Sequence, residues 1–197
     1  NPLALADWQQ IIEFLIEHNA AAQDAAIYLQ ITRGVMQRRD HVFDRDMQPT
    51  VLVMCHTLAY PAQKKDTKGV KAITREDNRW GDCFIKSINL LPNVMHKQYA
   101  VDNGAVESIL IRNGQAMEGS ASNLFIVKDD IIRTPPQGRN ILGGITRELI
   151  LKICSEHKIV AREIAISEDE LHDADEVWIT SSTKEIVPVT TLNQHKV

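Results

Sequence analysis

The sequence predicts an α+β fold in which hairpins of short strands stand beside a few amphipathic helices. Short runs rich in β-branched residues recur along the chain, and the dipeptide Asn113-Gly114 between two of them is a strong hairpin signal. Apolar residues recur at helical spacing near the start of the chain and again after Gly143-Gly144. Because strands and helices do not alternate regularly, a doubly wound parallel sheet is disfavoured.

The first half of the chain is expected to contain two helices and three strands. Asp7 is expected to cap a helix that ends at Asn19, because apolar residues follow it at helical spacing. Pro92 suits the first turn of a second helix, which runs to about residue 103. The polar stretch 34–49 is long for a connection, and such loops are often functional. The expected strands cover residues 26–32, 51–58 and 68–74.

The second half of the chain is expected to consist mainly of strands. Asn113-Gly114 and Asp129-Asp130 each join two strands that form a hairpin. A helix is expected after Gly144, and a short acidic helix is expected from Ser167. The expected strands cover residues 106–111, 115–118, 123–127, 131–134, 160–164, 176–180 and 186–191.

The composition limits the classes of function. The 197 residues include 22 Lys and Arg against 26 Asp and Glu, and the two signs are mixed along the chain, which argues against nucleic-acid or membrane-surface binding. No apolar run approaches the roughly 20 residues needed to cross a bilayer. Cys55, Cys83 and Cys154 are an odd number at wide spacing, without a CxxC pair or a Cys/His cluster, which argues against a disulfide framework and a cysteine-held metal. We therefore expect a soluble protein of a reducing compartment, the cytoplasm, without a metal site.

Two residues could carry covalent or acid–base chemistry. Lys86 lies in an apolar run, so we expect its amine to be partly desolvated, which favours the neutral form that attacks a carbonyl carbon. The alternative is a strand lysine whose ammonium reaches solvent. Glu118 follows a strand and precedes small residues, where its carboxylate could pair with a protonated ring nitrogen. The alternative is a solvated loop glutamate.

Other segments could bind anions. Gly143-Gly144 comes directly before a helix, so a phosphate could approach free N–H groups at the positive end of the helix dipole, although glycines there can be purely structural. Ser181 and Ser182 form a second hydroxyl cluster, which could also be an ordinary turn. Arg39 and His41 stand two residues apart on a loop that we expect to be extended, so they would point to the same side and could bind a carboxylate.

Taken together, four motifs resemble those of the fold-type IV pyridoxal-phosphate enzymes. The motifs are the segments 85–91 (IKSINLL), 118–125 (EGSASNLF), 144–147 (GITR) and 180–189 (TSSTKEIVPV). The chain is most similar to the D-amino acid aminotransferases, with the branched-chain aminotransferases and aminodeoxychorismate lyase as relatives. The resemblance implies the family's large domain, a pseudo-barrel of mixed strands with surrounding helices.

The resemblance implies pyridoxal 5'-phosphate as the cofactor and assigns roles to residues. Lys86 would hold the cofactor covalently and, once displaced by substrate, move a proton as a general base. Glu118 would keep the pyridine nitrogen protonated, and Leu142 would pack against one face of the ring. The further cofactor-binding residues that it implies are Ser120, Ser122, Ile145, Thr146, Ser181 and Ser182.

The resemblance also implies a substrate. Arg39-Asp40-His41 matches a loop motif that receives the substrate carboxylate in the D-amino acid aminotransferases, and Ser182 is the further residue assigned to substrate binding. The implied reaction is transamination between a D-amino acid, such as D-alanine, and a 2-oxo acid such as 2-oxoglutarate. Because this loop reaches the neighbouring subunit's site in the family, a homodimer is implied.

The resemblance divides the chain near residue 60. Residues 1–60 would carry a helix, strands and the carboxylate loop, and residues 61–197 would form the large cofactor-binding domain. We find no counterpart of the family's small N-terminal domain or of its C-terminal tail. The alternatives are an aminodeoxychorismate lyase, a branched-chain aminotransferase, or a cofactor-free and catalytically incomplete fragment.

Overall fold

The structure is a computed structural model that describes residues 2–19, 24–57 and 69–197. It divides into two units, Asn1–Lys65 and Asp66–Val197. The first unit contains helix α1 (Leu5–Asn19) and an antiparallel hairpin of strands β1 (Ala25–Thr32) and β2 (Thr50–Thr57). The helix and both strands confirm the predicted elements, while the expected strand boundaries at Leu58 and Lys68 lie outside the described residues.

Helix α1 begins two residues before the expected cap. Asp7 lies in its first turn, where Oδ2 accepts a hydrogen bond of 3.1 Å from the backbone N–H of Ala4. A carboxylate in this turn satisfies a donor that the helix itself leaves free and complements the positive end of the dipole. The prediction that Asp7 is the N-cap is therefore wrong, whereas the helix end at Asn19 is confirmed.

The second unit is built on a mixed sheet of ten described strands. The strands are β3 (Val70–Glu76), β4 (Glu107–Arg112), β5 (Gln115–Gly119), β6 (Asn123–Lys128), β7 (Ile131–Thr134), β8 (Ala161–Glu163), β9 (Ile166–Ser167), β10 (Glu176–Ser181), β11 (Glu185–Leu192) and β12 (His195–Lys196). Their order is β8-β7-β6-β10-β11-β3-β4-β5-β9, and β12 pairs with β11. Strand β3 runs parallel to β11 and β4, and β7 runs parallel to β8, while the other pairs are antiparallel. This mixed pairing confirms the α+β prediction.

Local turn chemistry produces both predicted hairpins. Asn113 and Gly114 have φ angles of 52° and 73°, and Asp129 and Asp130 have φ angles of 51° and 60°. Two successive residues with positive φ are what a type I′ turn requires, and its twist matches that of the flanking strands. The hairpins β4–β5 and β6–β7 are therefore confirmed.

Three helices pack on the sheet of the second unit. They are α2 (Leu91–Asp102), α3 (Ile145–Glu156) and α4 (Glu168–His172). Proline in the first turn of α2 and the positive φ of Gly104 beyond its end confirm that helix. Ser167 caps α4, since its hydroxyl accepts from Glu170 N–H at 3.1 Å. Strands β9 and β12 were not predicted, because two residues carry no periodic signal.

Alternation along the strands separates two faces of the sheet. On β6, Leu124 and Ile126 join the main buried cluster, whereas Phe125 points to the other side and packs with Ile150 and Cys154 of α3. Successive side chains of a strand point to opposite faces of the sheet, so both sets are buried when both faces are covered. Helix α3 is therefore anchored against the sheet, and this fixes the position of its first turn.

Candidate active site

A cavity of about 420 Å³ opens in the second unit between the end of β5, the start of β6, the end of β10 and the first turn of α3. Its volume falls in the range of roughly 300–1,000 Å³ that is usual for small-molecule sites. The predicted site residues that line it are Lys86, Glu118, Ser120, Ser122, Leu142, Ile145, Thr146, Ser181 and Ser182. The fold thus brings residues from four separate sequence motifs to one cavity.

Glu118 lies on β5 with its carboxylate buried at one end of the cavity. The carboxylate accepts hydrogen bonds from Arg79 Nη1 at 2.5 Å, Asn123 Nδ2 at 3.1 Å and the backbone N–H of Leu142 at 3.1 Å. Burial raises the pKa of the Glu118 carboxyl above its ordinary value, and the Arg79 guanidinium and the Leu142 N–H oppose that rise. These contacts fix the carboxylate in one orientation toward the cavity.

Arg79 connects Glu118 to a second buried acid. Its Nε and Nη2 donate to the two oxygens of Asp77 at 2.9 and 3.0 Å, and Asp77 also pairs with Arg112 Nη2 at 3.0 Å. Burial alone would raise the pKa of Asp77, but its bonds to Arg79 and the charge of Arg112 bring it below its ordinary value. Burial would lower the pKa of Arg79, but Asp77 and Glu118 raise it. The result is a row of alternating charge, Glu118, Arg79, Asp77 and Arg112, in which the first three residues are buried and Arg112 is half-buried.

Sequence reasoning did not identify Arg79 or Asp77 as site residues. Arg79 lies 39 positions before its partner Glu118, and an arginine in a polar stretch carries no periodic signal. The available signal is the polar segment 75–79, rich in charged residues, which spans the end of β3 and stands shortly before Lys86. Charge clusters are usually solvated, so this signal alone would not have been decisive.

The first turn of α3 forms a further part of the cavity wall. Gly144 is the N-cap residue, and no side chain caps the helix. The first backbone bond of the helix runs from Glu148 N–H to the Gly144 carbonyl at 3.0 Å, so the N–H groups of Ile145 and Thr146 precede it. These N–H groups carry the positive end of the helix dipole and are suited to an anion.

Glycine at position 144 permits a close approach between this turn and the sheet. A Cβ at Gly144 would lie 2.1 Å from Asn123 Oδ1. Asn123 in turn donates Nδ2 to the carbonyl of Leu142 at 2.7 Å, so strand β6 and the loop before α3 are joined at this point. Ser181 at the end of β10 and Ser182 just beyond it line the same cavity.

Lys86 lines the cavity from an irregular segment. Residues 77–90 form neither helix nor strand, and Lys86 is exposed, as are its apolar neighbours Phe84, Ile85 and Ile88. The expectation that the apolar run would desolvate the amine is therefore wrong. The run is apolar in sequence, but these side chains do not pack around Lys86 in the described residues.

Ser120 and Ser122 line the cavity but direct their hydroxyl groups at a residue that the sequence did not indicate. Both hydroxyls donate to the carboxylate of Glu107 on β4, and the Ser122 bond measures 3.0 Å. Glu107 lies 13 residues before Ser120. It sits within a predicted strand, where a buried glutamate was not expected from composition.

Arg39 and His41 belong to the first unit, where both are exposed. The carboxylate of Asp40 accepts the backbone N–H groups of His41 at 2.6 Å and Val42 at 3.1 Å. The chain therefore bends here, so the expectation of an extended loop is wrong, and alternation no longer places both side chains on one side.

The described residues also bear on metal and membrane sites. Among residues 2–19, 24–57 and 69–197, no group of three or more His, Cys, Asp or Glu could hold a metal ion. No helix within these described ranges is long and apolar enough to cross a membrane. Cys55, Cys83 and Cys154 are free, and burial raises the pKa of the Cys83 thiol beside the cavity.

The chain belongs to the class IV aminotransferase family, whose family model matches residues 1–192. Within this family, it is 44% identical over 171 residues to the D-alanine aminotransferase of Bacillus licheniformis. The aligned residues cover 87% of this chain and 60% of that protein. The D-alanine aminotransferase of Staphylococcus aureus strain MW2 is 38% identical over 193 residues, covering 95% of this chain and 68% of that protein. The chain thus spans 60% of the length of the Bacillus relative.

A solved structure supports the same fold. The branched-chain aminotransferase of the archaeon Thermoproteus uzoniensis, crystallised with norvaline, superposes with a TM-score of 0.86 at 24% identity. The match covers 100% of this chain and 66% of that chain. The family and the fold that the four motifs predicted are therefore confirmed.

Proposed function

We propose that this protein is a pyridoxal-phosphate-dependent aminotransferase that exchanges the amino group of a D-amino acid, such as D-alanine, with a 2-oxo acid such as 2-oxoglutarate. One observation carries the proposal: Lys86 and Glu118 line a single cavity together with the anion-binding first turn of α3. The similarity to D-alanine aminotransferases supports this choice of reaction.

The residues around the cavity fit the chemical groups of pyridoxal phosphate. An amine, an oriented carboxylate and a turn with free N–H groups match its aldehyde, its ring nitrogen and its phosphate. No side chain caps this turn, which leaves its N–H groups open to a ligand. When bound, the cofactor supplies an aldehyde that reacts with amines and a ring that withdraws electrons from the substrate α-carbon.

Each residue then has a physical task. Lys86 Nζ would hold the bound cofactor covalently and, once displaced by substrate, would take the proton from the substrate α-carbon and pass it to the cofactor carbon that carries the amino nitrogen. Glu118, oriented by Arg79, would keep the ring nitrogen protonated. The side chain of Leu142 would pack against the ring. The phosphate would be held by the N–H groups of Ile145 and Thr146 and by the hydroxyls of Thr146, Ser181 and Ser182.

We assign substrate recognition to Arg39 and His41, with Ser182 as a further contact. Arg39 and the protonated form of His41 both suit a carboxylate, and both are exposed on their loop. The proposal includes a homodimer in which this loop serves the active site of the neighbouring subunit. It also includes a cytoplasmic location, which three free cysteines support.

The proposal is tested first at Lys86. We expect Lys86→Ala to abolish the visible absorbance of covalently held cofactor and to lower turnover by at least roughly 10³-fold, because it removes both the nucleophile and the base. Absorbance spectra and a coupled assay with D-alanine and 2-oxoglutarate measure this. Lys152→Ala is the matched control, since Lys152 is an exposed lysine of α3 outside the cavity. An unchanged visible band in Lys86→Ala would contradict the assignment.

A substrate panel distinguishes the alternative reactions. Spectral change on addition of D-alanine supports the proposed reaction, whereas change with L-leucine alone indicates a branched-chain aminotransferase. Release of pyruvate from aminodeoxychorismate without an amino acceptor indicates the lyase. If the wild-type protein acquires no visible absorbance after incubation with pyridoxal phosphate, the cofactor-free alternative is correct.

A further inference from the structure

A buried carboxylate lies behind the cavity wall. Glu107, the first residue of β4, is 2% exposed. Its Oε1 accepts the N–H of Ser108 at 2.9 Å, the N–H of Ser120 at 3.2 Å and the Ser120 hydroxyl. Its Oε2 accepts the Ser122 hydroxyl at 3.0 Å and the Lys97 ammonium at 3.4 Å. All five contacts therefore bring donor groups to one carboxylate.

This arrangement fixes the direction of the serine hydrogen bonds. An ionised carboxylate can only accept, and the N–H groups and the ammonium around Glu107 can only donate. The hydroxyls of Ser120 and Ser122 must therefore give their protons to Glu107. A hydroxyl has one proton and two lone pairs, so each of these serines keeps only acceptor capacity for a group in the cavity.

The turn that carries these serines is held from several sides. Gly119 N–H donates to the Ser122 carbonyl at 2.7 Å, and Asn93 Nδ2 donates to the Ser120 carbonyl at 2.8 Å. A Cβ at Gly119 would lie 2.1 Å from Ser122 Oγ and 3.0 Å from Glu107 Cγ, so the chain passes closely over the carboxylate. The turn is thereby restrained from rotating to release the hydroxyl protons.

The charges at the cavity determine which ligand suits these acceptors. In the described residues, the charged side chains that line it are Arg79, Lys86, Lys97 and Glu118. Arg79 is paired with Asp77 and Glu118, and Lys97 is paired with Glu107. Among these described lining residues, Lys86 is the cation for which no ion pair is recorded. Lys86 lines the same cavity as Ser120 and Ser122, and acceptor hydroxyls suit a cationic N–H donor and not a phosphate.

We propose that Glu107 is a positioning residue, which takes the protons of Ser120 and Ser122 and so makes this face of the cavity a binding site for an ammonium group. The ammonium belongs to Lys86 or to the amino substrate, and both present the same chemistry. This assignment rests on the proposed function for its substrate, but the role of Lys86 can be tested in protein free of cofactor.

The first measurement uses cofactor-free protein. Acetic anhydride labels neutral amines, so mass spectrometry of the Lys86 peptide across a pH series gives the pH of half-maximal labelling. If the ammonium belongs to Lys86, we expect this pH to fall by about one unit in both Glu107→Gln and Ser120→Ala, because the charged form of the amine then loses a hydrogen-bond acceptor. Ser120→Ala keeps the Glu107 charge, so it serves as the second variant if Glu107→Gln fails to fold. The melting temperature of each variant shows whether it is folded.

Glu170→Gln is the matched control. Glu170 also accepts the hydroxyl and the N–H of a serine, Ser167, at 3.0 and 2.9 Å, but it is absent from the cavity wall. We expect the half-labelling pH of Lys86 to stay unchanged in this variant. A shift in Glu107→Gln without one in Ser120→Ala would mean that the carboxylate acts through space, and it would overturn the proposal.

The second measurement separates the two sources of ammonium. If the group belongs to the substrate, Ser120→Ala raises KM for D-alanine about tenfold and leaves KM for 2-oxoglutarate unchanged. If it belongs to Lys86, the labelling shift appears without this selective change in KM. Folded variants that show neither effect refute the inference. An inactive wild-type protein would instead refute the proposed function, and the labelling result would still stand.

Discussion

The Glu118 end of the cavity and the adjoining first turn of α3, here called the α3 end, are built in opposite ways. At the Glu118 end, charged side chains are buried and paired with one another through Arg79 and Asp77. At the α3 end, backbone N–H groups are left free, and Ile145 is 78% exposed. A buried charge is costly without a partner, whereas a helix terminus open to water is not. The Glu118 end is therefore organised before any ligand binds, while the α3 end supplies general affinity for an anion.

The largest effect should follow from breaking the buried row of charge. We expect Arg79→Ala to lower the free energy of unfolding by about 3–5 kcal/mol, because Asp77 and Glu118 would remain buried without their shared partner. Urea unfolding of the cofactor-free protein measures this. Arg139→Ala is the control: Arg139 pairs with Asp82 at 2.6 Å but is 74% exposed, so its loss should cost less than about 1 kcal/mol. An equal loss of unfolding free energy in Arg79→Ala and Arg139→Ala would contradict the difference between buried and exposed ion pairs.

A smaller effect is expected when the charge of Glu118 is removed while its shape is kept. The amide of Glu118→Gln has one acceptor oxygen, which can keep the bond from Arg79 while its NH2 replaces the oxygen that accepts from Leu142 N–H, so the fold and part of the cofactor binding should persist. Turnover should fall about 10²-fold, because the amide cannot stabilise a protonated ring nitrogen electrostatically. Steady-state kinetics with D-alanine measure this, and equal turnover would contradict the role given to Glu118.

The Glu118→Gln variant also tests the direction in which folding changes the pKa of the Glu118 carboxyl. Burial raises the folded-state pKa of Glu118 above the ordinary value of 4.5, so its contribution to stability is fully present below that value and is lost as pH rises through the folded pKa. Without cofactor, Glu118→Gln should therefore gain stability relative to wild type between acidic and neutral pH. Urea unfolding at several pH values decides this. The opposite trend would mean that the Arg79 pair outweighs burial.

The smallest effect is expected at the α3 end, where several hydrogen-bond donors bind the phosphate together. Ser182→Ala should weaken the binding of pyridoxal phosphate about tenfold, because one hydrogen bond to a charged acceptor is lost while the backbone donors remain. Absorbance titration measures this affinity. Thr183→Ala is the control, since Thr183 is the adjacent hydroxyl but does not line the cavity. Similar losses in both variants would remove Ser182 from the phosphate site.

Features that depend on neighbouring residues could be predicted from the sequence. Asn113-Gly114 predicts its hairpin because few other dipeptides adopt positive φ twice in succession. Pro92 and Gly104 bracket α2 through their own backbone preferences. The cavity residues were found because their motifs resemble those of a known family, and the fold then brings nine of them to one cavity.

Features that depend on distant residues could not be predicted in this way. Arg79 and Glu118 meet across 39 positions, and Glu107 meets Ser122 across 15, with nothing local to indicate either pair. The prediction that the Lys86 amine is desolvated failed for a related reason. An apolar run in the sequence does not reveal whether other elements cover it. Tertiary packing determines burial and partnership, and a single sequence carries little information about it.

The parallel pairing of β3 with β11 has a consequence for how the second unit folds. Thr74 and Asn193 are hydrogen-bonded across 119 positions, and β3 lies between β11 and β4 in the sheet. Closing so long a loop costs conformational entropy before the stabilising contacts between its ends have formed. Topologies rich in such distant contacts therefore fold slowly. On the ribosome, β3 must therefore wait for the synthesis of residues 185–192 before its pairing on that side can form. The hairpins β4–β5 and β6–β7 can form earlier, from local contacts alone.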